Sequence, residues 1–203
     1  METVNEEKRT VAAFDFDGTL VARDTFLEFA LFVAGWPRLL WAMALGSVAI
    51  AKWKLGIWPG GRAKERLFGL LYAGMPYARF CQLGREFVRR IRGFERDEIL
   101  TLLESHIAKG DEVFIVSASM AEWISPWAEG FGVDSSHVIG TVPEVSSDGV
   151  LTGRFRSPNC HGQEKVNRLQ ARLPERDKLI VYAYGDSDGD RQLLAFADVG
   201  RKV

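Results

Sequence analysis

Short, unbroken apolar runs alternate along this chain with segments of helical period. Three of the runs, Val11 to Phe14, Val113 to Val116 and Leu179 to Tyr184, lack the in–out alternation of a half-solvated strand. They read as strands covered on both faces. A helix is expected at about Glu95 to Lys109, where Ile99, Leu102, Leu103 and Ile107 recur at helical spacing and Gly110 supplies a stop. A helix carrying Trp123 and Trp127 follows, then a strand near Val138 to Val142. Ser147-Asp148-Gly149 reads as the turn of a hairpin. A helix around Lys165, the Leu179 strand and a last short helix complete the pattern. Strands alternating with helices predict an α/β fold with a doubly wound parallel sheet. The long stretch from Arg23 to Gly93 interrupts this order with mostly helical pattern. The chain therefore divides into a core of residues 1–22 and 94–203 and an inserted α-helical cap of residues 23–93.

The insertion has its own pattern. It holds four of the six tryptophans, Trp36, Trp41, Trp53 and Trp58, and the thirteen residues from Leu39 to Ala51 carry no charge. A bilayer span needs roughly twenty apolar residues, so this run is too short. It reads first as a buried helix of a small bundle. The sharper alternative is an apolar cap that docks on a membrane surface or covers a lipid-like substrate. From Pro76 to Arg92 the pattern is amphipathic, with Phe80, Leu83, Phe87, Val88 and Ile91 on one side and Arg79, Arg85, Arg89, Arg90 and Arg92 mostly elsewhere. Such a face is ordinarily solvated, though an Arg-rich amphipathic helix also suits anionic lipid.

The polar residues that close the buried runs bring in the chemistry. The first run leads into Asp15-Phe16-Asp17-Gly18-Thr19. Two carboxylates two residues apart share one side of an extended backbone. Held close, they need a cation or a shared proton, and a hard ion such as Mg²⁺ takes oxygen ligands beside substrate phosphate. One carboxylate is placed to attack phosphorus and the other to handle a proton. The second run ends in Ser117-Ala118-Ser119. At the carboxyl ends of strands in open α/β sheets, where ligands bind, Ser117 would share the rim with Asp15, although alone it reads more readily as a helix N-cap. Lys165, at the start of a helix with Val166 and Leu169 on its apolar side, could neutralise phosphate and hold a carboxylate ionised. The third run ends in Gly185-Asp186-Ser187-Asp188-Gly189-Asp190, acids that crowd one another without a cation.

The order of these four segments resembles the haloacid-dehalogenase-like phosphohydrolase superfamily over nearly the whole chain. The Ser-Ala-Ser segment, Asp148 to Gly153 and Gly162-x-x-Lys165-Val166 are most similar to the branch of phosphoserine phosphatases and their bacterial relatives. The resemblance implies Asp15 as a nucleophile forming an aspartyl-phosphate, and Asp17 as general acid and then base, with its carbonyl on Mg²⁺. It implies Asp186 as the further carboxylate ligand, Asp190 as support of the metal loop, and Ser117 and Lys165 as the phosphate clamp. Gly189 departs from the Asn common in that branch, which raises Asp188 as a substitute. Asp24 stands where phosphoserine phosphatases place an acid that binds the substrate amine, and it reads equally well as the N-cap of the first cap helix. The cap is loosely similar to that of bacterial phosphatidylglycerophosphatases. The implied activity is Mg²⁺-dependent hydrolysis of a small-molecule or lipid phosphate monoester. Transfer of the phosphoryl group to another alcohol is an alternative, and a non-catalytic binding protein is a remoter one. Dehalogenation at carbon has no use for Asp17.

Composition narrows the rest. Twenty-six Lys and Arg balance twenty-seven Asp and Glu for a net charge of −1, which gives no basic character for nucleic acid. Cys81 and Cys160 lie far apart and read as reduced thiols. The polar segment from Met1 to Arg9 has no apolar signal core. A cytoplasmic protein is expected, with contact at the inner face of the membrane through the cap as the sharper variant.

Overall fold

The computed structural model describes residues 8–58 and 60–203; residues 1–7, Pro59 and the side chain of Trp53 lie outside it. Five strands form a parallel sheet: β1 (Arg9–Phe14), β2 (Glu112–Met120), β3 (Val138–Thr141), β6 (Leu179–Gly185) and β7 (Val199–Lys202), in the spatial order β3-β2-β1-β6-β7. From Val11 to Phe14 the central strand is fully buried, because one apolar cluster covers each face of the sheet. Its uninterrupted apolar sequence reflects this. The chain moves outward from β1 in one direction through β2 and β3, then in the other through β6 and β7. β1 is thus the switch point, where open α/β sheets bind their ligands. β7 was not apparent from sequence. Its four residues, Val-Gly-Arg-Lys, are all exposed at the sheet edge, where no burial pattern arises.

Between β1 and β2 come the helices α1 (Thr25–Lys54), α2 (Gly60–Tyr72), α3 (Tyr77–Ile91) and α4 (Asp97–Ala108). The first three make up a helical insertion after β1. Its neck is closed by backbone bonds from Ala22 N–H to the Phe94 carbonyl (2.7 Å) and from Arg96 N–H to the Leu20 carbonyl (3.0 Å). α1 has two arms: Gly35 adopts φ 70°, and Pro37 lies just beyond it. Glycine takes that conformation without a Cβ clash, and proline fits the opening turn of the second arm, where its missing N–H has no carbonyl to meet. The first arm enters the core, where Phe29 stacks on Trp123 at 4.5 Å and meets Phe80 and Phe87 edge-on at 5.3 Å each. α3 buries Phe80, Leu83, Phe87 and Ile91 and exposes its arginines, as its period predicts.

After β2 come α5 (Ala121–Ala128) and β3, then the hairpin β4 (Pro143–Val145) and β5 (Leu151–Phe155), with Gly149 (φ 76°) in its turn. The hairpin lies on the cap. Gly74 N–H bonds the Leu151 carbonyl (2.8 Å), Leu151 N–H the Met75 carbonyl (2.9 Å), and Tyr77 N–H the Gly149 carbonyl (2.9 Å). A Cβ on Gly69 would stand 3.0 Å from the Gly153 carbonyl oxygen, so glycine permits the close approach. α6 (Gln163–Gln170) and α7 (Arg191–Phe196) complete the core.

The second arm of α1 departs from the first expectation. Leu39, Ala42 and Ala49 are buried, while Trp36, Leu40, Trp41, Leu45 and Val48 are each more than half exposed. It is not a buried bundle helix.

Candidate active site

Register brings the sequence candidates to one edge. Phe14 lies beside Ile115 of β2 and Tyr184 of β6, so Asp15, Ser117 and Asp186 all follow within two residues of the same line across the sheet. The Asp15 N–H bonds the Tyr184 carbonyl at 2.9 Å. The chain then turns at Gly18, whose φ is 86°. A Cβ there would stand 2.4 Å from Asp186 Oδ2, so the turn needs glycine for its conformation and for room beside that carboxylate.

Asp15 is buried. Lys165 Nζ donates to Asp15 Oδ1 at 2.5 Å and to Asp190 Oδ1 at 2.5 Å. α6 turns Lys165 inward with Val166 and Leu169, so its ammonium lies between two buried acids. Burial alone would lower the Lys165 pKa, but the charges of Asp15 and Asp190 outweigh it and hold it above its usual value. Burial works against the charge on Asp190 too, and Lys165, with donors from Ser187, more than compensates, so this carboxyl stays below its ordinary range. Asp15 is pushed up to about 7, mainly by burial and then by the charges of Asp190 and Asp17, with Lys165 pulling the other way. A buried carboxyl in that state is one that a nearby cation returns to its ionised form.

Carboxylate oxygens of Asp15, Asp186 and Asp190 lie within 4.8 Å of one another. Asp190 is already committed: Oδ1 to Lys165, Oδ2 to the Ser187 N–H (3.1 Å) and hydroxyl (2.6 Å). Asp15 Oδ2 and Asp186 Oδ1 each have the Thr19 hydroxyl at 3.3 Å. One hydroxyl proton cannot neutralise two carboxylates. The all-oxygen donor set, the like charges and the space left by Gly18 fit a hard divalent cation such as Mg²⁺ between Asp15 and Asp186.

Asp17 is held by donors other than Lys165. The Thr25 N–H (2.8 Å) and hydroxyl (2.6 Å) donate to its Oδ1, and the Ser119 hydroxyl donates to Oδ2 at 2.5 Å. Trp123 Nε1 donates to Thr25 Oγ1 at 3.0 Å and fixes that hydroxyl. Burial and then the charge of Asp24 raise the Asp17 pKa, against the opposing pull of Lys64, Ser119 and Thr25. Ser117 is buried inside β2, and its Oγ accepts the Ser119 N–H at 3.0 Å. It does not cap the following helix; Met120 occupies the cap position of α5. Asp24 does cap α1, accepting the Leu27 N–H at 3.1 Å.

Four contributors were missed: Thr19, Thr25, Ser119 in its contact with Asp17, and Lys64. Lys64 comes from cap helix α2, donates to the Ala118 carbonyl at 2.9 Å and lies 4.6 Å over the Phe26 ring. Its pKa is lowered, chiefly by burial, while Asp24 and Asp17 pull it back up. A lone Lys in a helix with many surface charges offered no sequence signal; only folding the cap onto the sheet reveals it. The departure at Gly189 also has a structural reason. A Cβ there would stand 2.5 Å from His161 Nε2, so the imidazole takes up the space of a larger side chain, and Asp188 is exposed. Cys160 is fully buried, with burial raising its thiol pKa to about 11. It has no role at this edge.

Residues 12–195 match the family described as haloacid dehalogenase-like hydrolase. The chain belongs to that family. Within it, the chain is similar to Protein CicA of Caulobacter vibrioides, 32% identical over 189 residues that cover 93% of this chain and 83% of that one. A solved structure of a protein of unknown function from Bordetella pertussis Tohama I superposes with a TM-score of 0.80, at 28% identity over 96% of this chain and 89% of the other. A phosphoserine phosphatase solved as a phospho-aspartyl intermediate analogue shares the fold, with a TM-score of 0.65 and 18% identity over 94% of this chain and 84% of that one. The family's α/β sheet and the parallel arrangement expected from sequence therefore coincide.

Proposed function

We propose that this member of the hydrolase family is a Mg²⁺-dependent phosphomonoester hydrolase that works through an aspartyl-phosphate on Asp15. The observation that carries this reading is the separation of a buried and a half-buried carboxylate into two environments: Asp15 against Lys165 and Asp186, and Asp17 against hydroxyl and amide donors. Pairs of acids whose surroundings differ in this way divide nucleophile from proton carrier. Asp15 and Asp186, with the Asp17 carbonyl, would hold the metal, which supplies charge neutralisation for the transferring phosphoryl group.

The chain's own residues do the rest. An Asp15 carboxylate oxygen attacks phosphorus and the bond to the ester oxygen breaks. Asp17, its pKa raised, gives its proton to the departing oxygen. The Asp17 carboxylate then takes a proton from water, whose oxygen attacks phosphorus and breaks its bond to Asp15. Ser117 and Lys165 bind the phosphoryl oxygens, and Asp190 keeps Lys165 charged and in place. Residues 1–22 and 94–203 carry this machinery, and the cap of residues 23–93 covers it.

Lys64 and Asp24 belong to the substrate's leaving side. They bring opposite charges to the mouth beside Asp17, which suits an ester whose alcohol portion is itself polar or charged. Lys64→Met is expected to raise KM for the preferred ester by about 10-fold or more, the worth of one charge-assisted hydrogen bond, with a smaller change in kcat. An aryl phosphate, whose leaving group carries no charged substituent, should be affected less. Equal losses on both would remove Lys64 from substrate recognition.

The reading as a whole is tested by incubating the purified protein with amino-acid, sugar, nucleotide and lipid phosphates. Hydrolysis is expected with Mg²⁺, loss of essentially all activity with EDTA, and recovery when Mg²⁺ is returned in excess. No phosphate release from any ester in the panel, with Mg²⁺ present, would rule the activity out.

A further inference from the structure

We propose that the outward side of the second arm of α1 is a docking surface for an anionic lipid bilayer. Trp36, Leu40, Trp41, Leu45, Val48 and, just beyond the helix, Leu55 are each more than half exposed. Contiguous apolar surface of this kind marks an interaction site rather than ordinary scatter. Leu39, Ala42 and Ala49 pack the opposite side of the helix inward, so the exposed residues form one face rather than a loose segment.

The charge around this face selects the occupant. From Phe29 to Ala63 the chain carries Arg38, Lys52, Lys54 and Arg62 and no acidic residue. At the far end of the arm the Lys52 ammonium lies 4.7 Å over the Trp58 ring. An apolar face bounded by tryptophan and by cations is the composition of a helix lying in a membrane interface, with rings at headgroup depth and cations against anionic headgroups. A second copy of the chain fits less well. A two-fold interface sets each patch against itself, which would bring these cations together with no acid in the segment to answer them.

The geometry also decides between lying on the bilayer and crossing it. The helix from Thr25 to Lys52 is long and apolar enough to span. Its first arm is fixed elsewhere, with Thr25 bonded to Asp17 and Phe29 stacked on Trp123. Only the arm beyond Gly35 is available, and one side of that arm is already packed. The protein would rest on the surface with its core in water. This assignment does not depend on the reaction at Asp15.

Flotation of the whole protein with unilamellar vesicles tests it. Binding is expected to vesicles of mixed phosphatidylglycerol and phosphatidylcholine, to weaken with added salt, and to be at least tenfold weaker to phosphatidylcholine alone. Leu40→Ser/Leu45→Ser/Val48→Ser should reduce partitioning at least tenfold while the melting temperature and aryl phosphate hydrolysis stay as in the parent. Lys52→Gln/Lys54→Gln, which leaves the apolar face whole, should weaken binding to the anionic vesicles only. The proposal is overturned if the parent does not float with anionic vesicles, if it binds both vesicle types equally, or if the triple variant floats like the parent. Light scattering that shows a dimer dispersed by the triple substitution would assign the face to self-association instead.

Discussion

Asp15→Asn is expected to abolish phosphate release from every ester the protein accepts, by at least about a thousandfold in kcat/KM, since loss of a covalent nucleophile leaves only binding and electrostatic assistance. The substitution keeps the side chain's size and removes charge from a buried cluster. In the present fold that charge is opposed by burial, by Asp190 and by Asp17, so the melting temperature should hold or rise. Lys165 keeps Asp190 as its partner. Hydrolysis, circular dichroism and thermal melting on the same preparation separate the outcomes. A folded Asp15→Asn protein that turns over an aryl phosphate at the parental rate would show that Asp15 is not the nucleophile.

Lys165→Met should have the largest effect on stability. The ammonium is shared by two acids that are both almost wholly buried. Removing one partner of such an arrangement leaves uncompensated charge in the interior and costs about 3–5 kcal/mol. The pH dependence has a definite sign. Without the cation, Asp15 and Asp190 take folded-state pKa values above those of the unfolded chain, so protonation favours the folded form. The deficit relative to the parent should be greatest near neutral pH and shrink as pH falls towards the ordinary carboxylate range. Urea unfolding in EDTA at several pH values measures it. A deficit that does not change with pH would mean that the two acids are not charged in the parent and that Lys165 stabilises by packing alone. Catalysis should fall as well, because the phosphoryl oxygens lose a cation.

The two variants act on the part of the site that was most legible from sequence. An unbroken apolar strand followed by Asp-x-Asp-Gly states part of its own geometry: the strand must be central and its end must face the ligand edge, whereas the separate surroundings of Asp17, on Thr25 and Ser119, were not legible. Lys165 followed from its place beside Val166 and Leu169, which turn the same side of α6 inward. What was not legible lay in residues whose type is common and whose meaning depends on a partner far away in the chain. Thr25 and Trp123, or Lys64 and the Ala118 carbonyl, are recognisable only once the cap sits on the sheet. The uniformly apolar stretch of α1 failed for another reason. With no charged residue from Leu39 to Ala51 to mark a solvent side, its period could not say which face was buried, and the structure leaves most of it facing outward. The edge strand β7 is short and polar, and hydrogen bonding to β6 defines it without any apolar pattern.

The hairpin that leans on the cap has a consequence for turnover. The insertion is tied at its neck by the Ala22–Phe94 and Arg96–Leu20 backbone bonds, and the hairpin at its own neck by the Arg156 N–H on the Val142 carbonyl at 2.9 Å. Between these two ribbons run the three further bonds that join residues 74–77 to residues 149–151. Insertion and hairpin therefore make a single jaw with two stems. Any opening of the insertion that leaves these bonds intact must carry the hairpin with it.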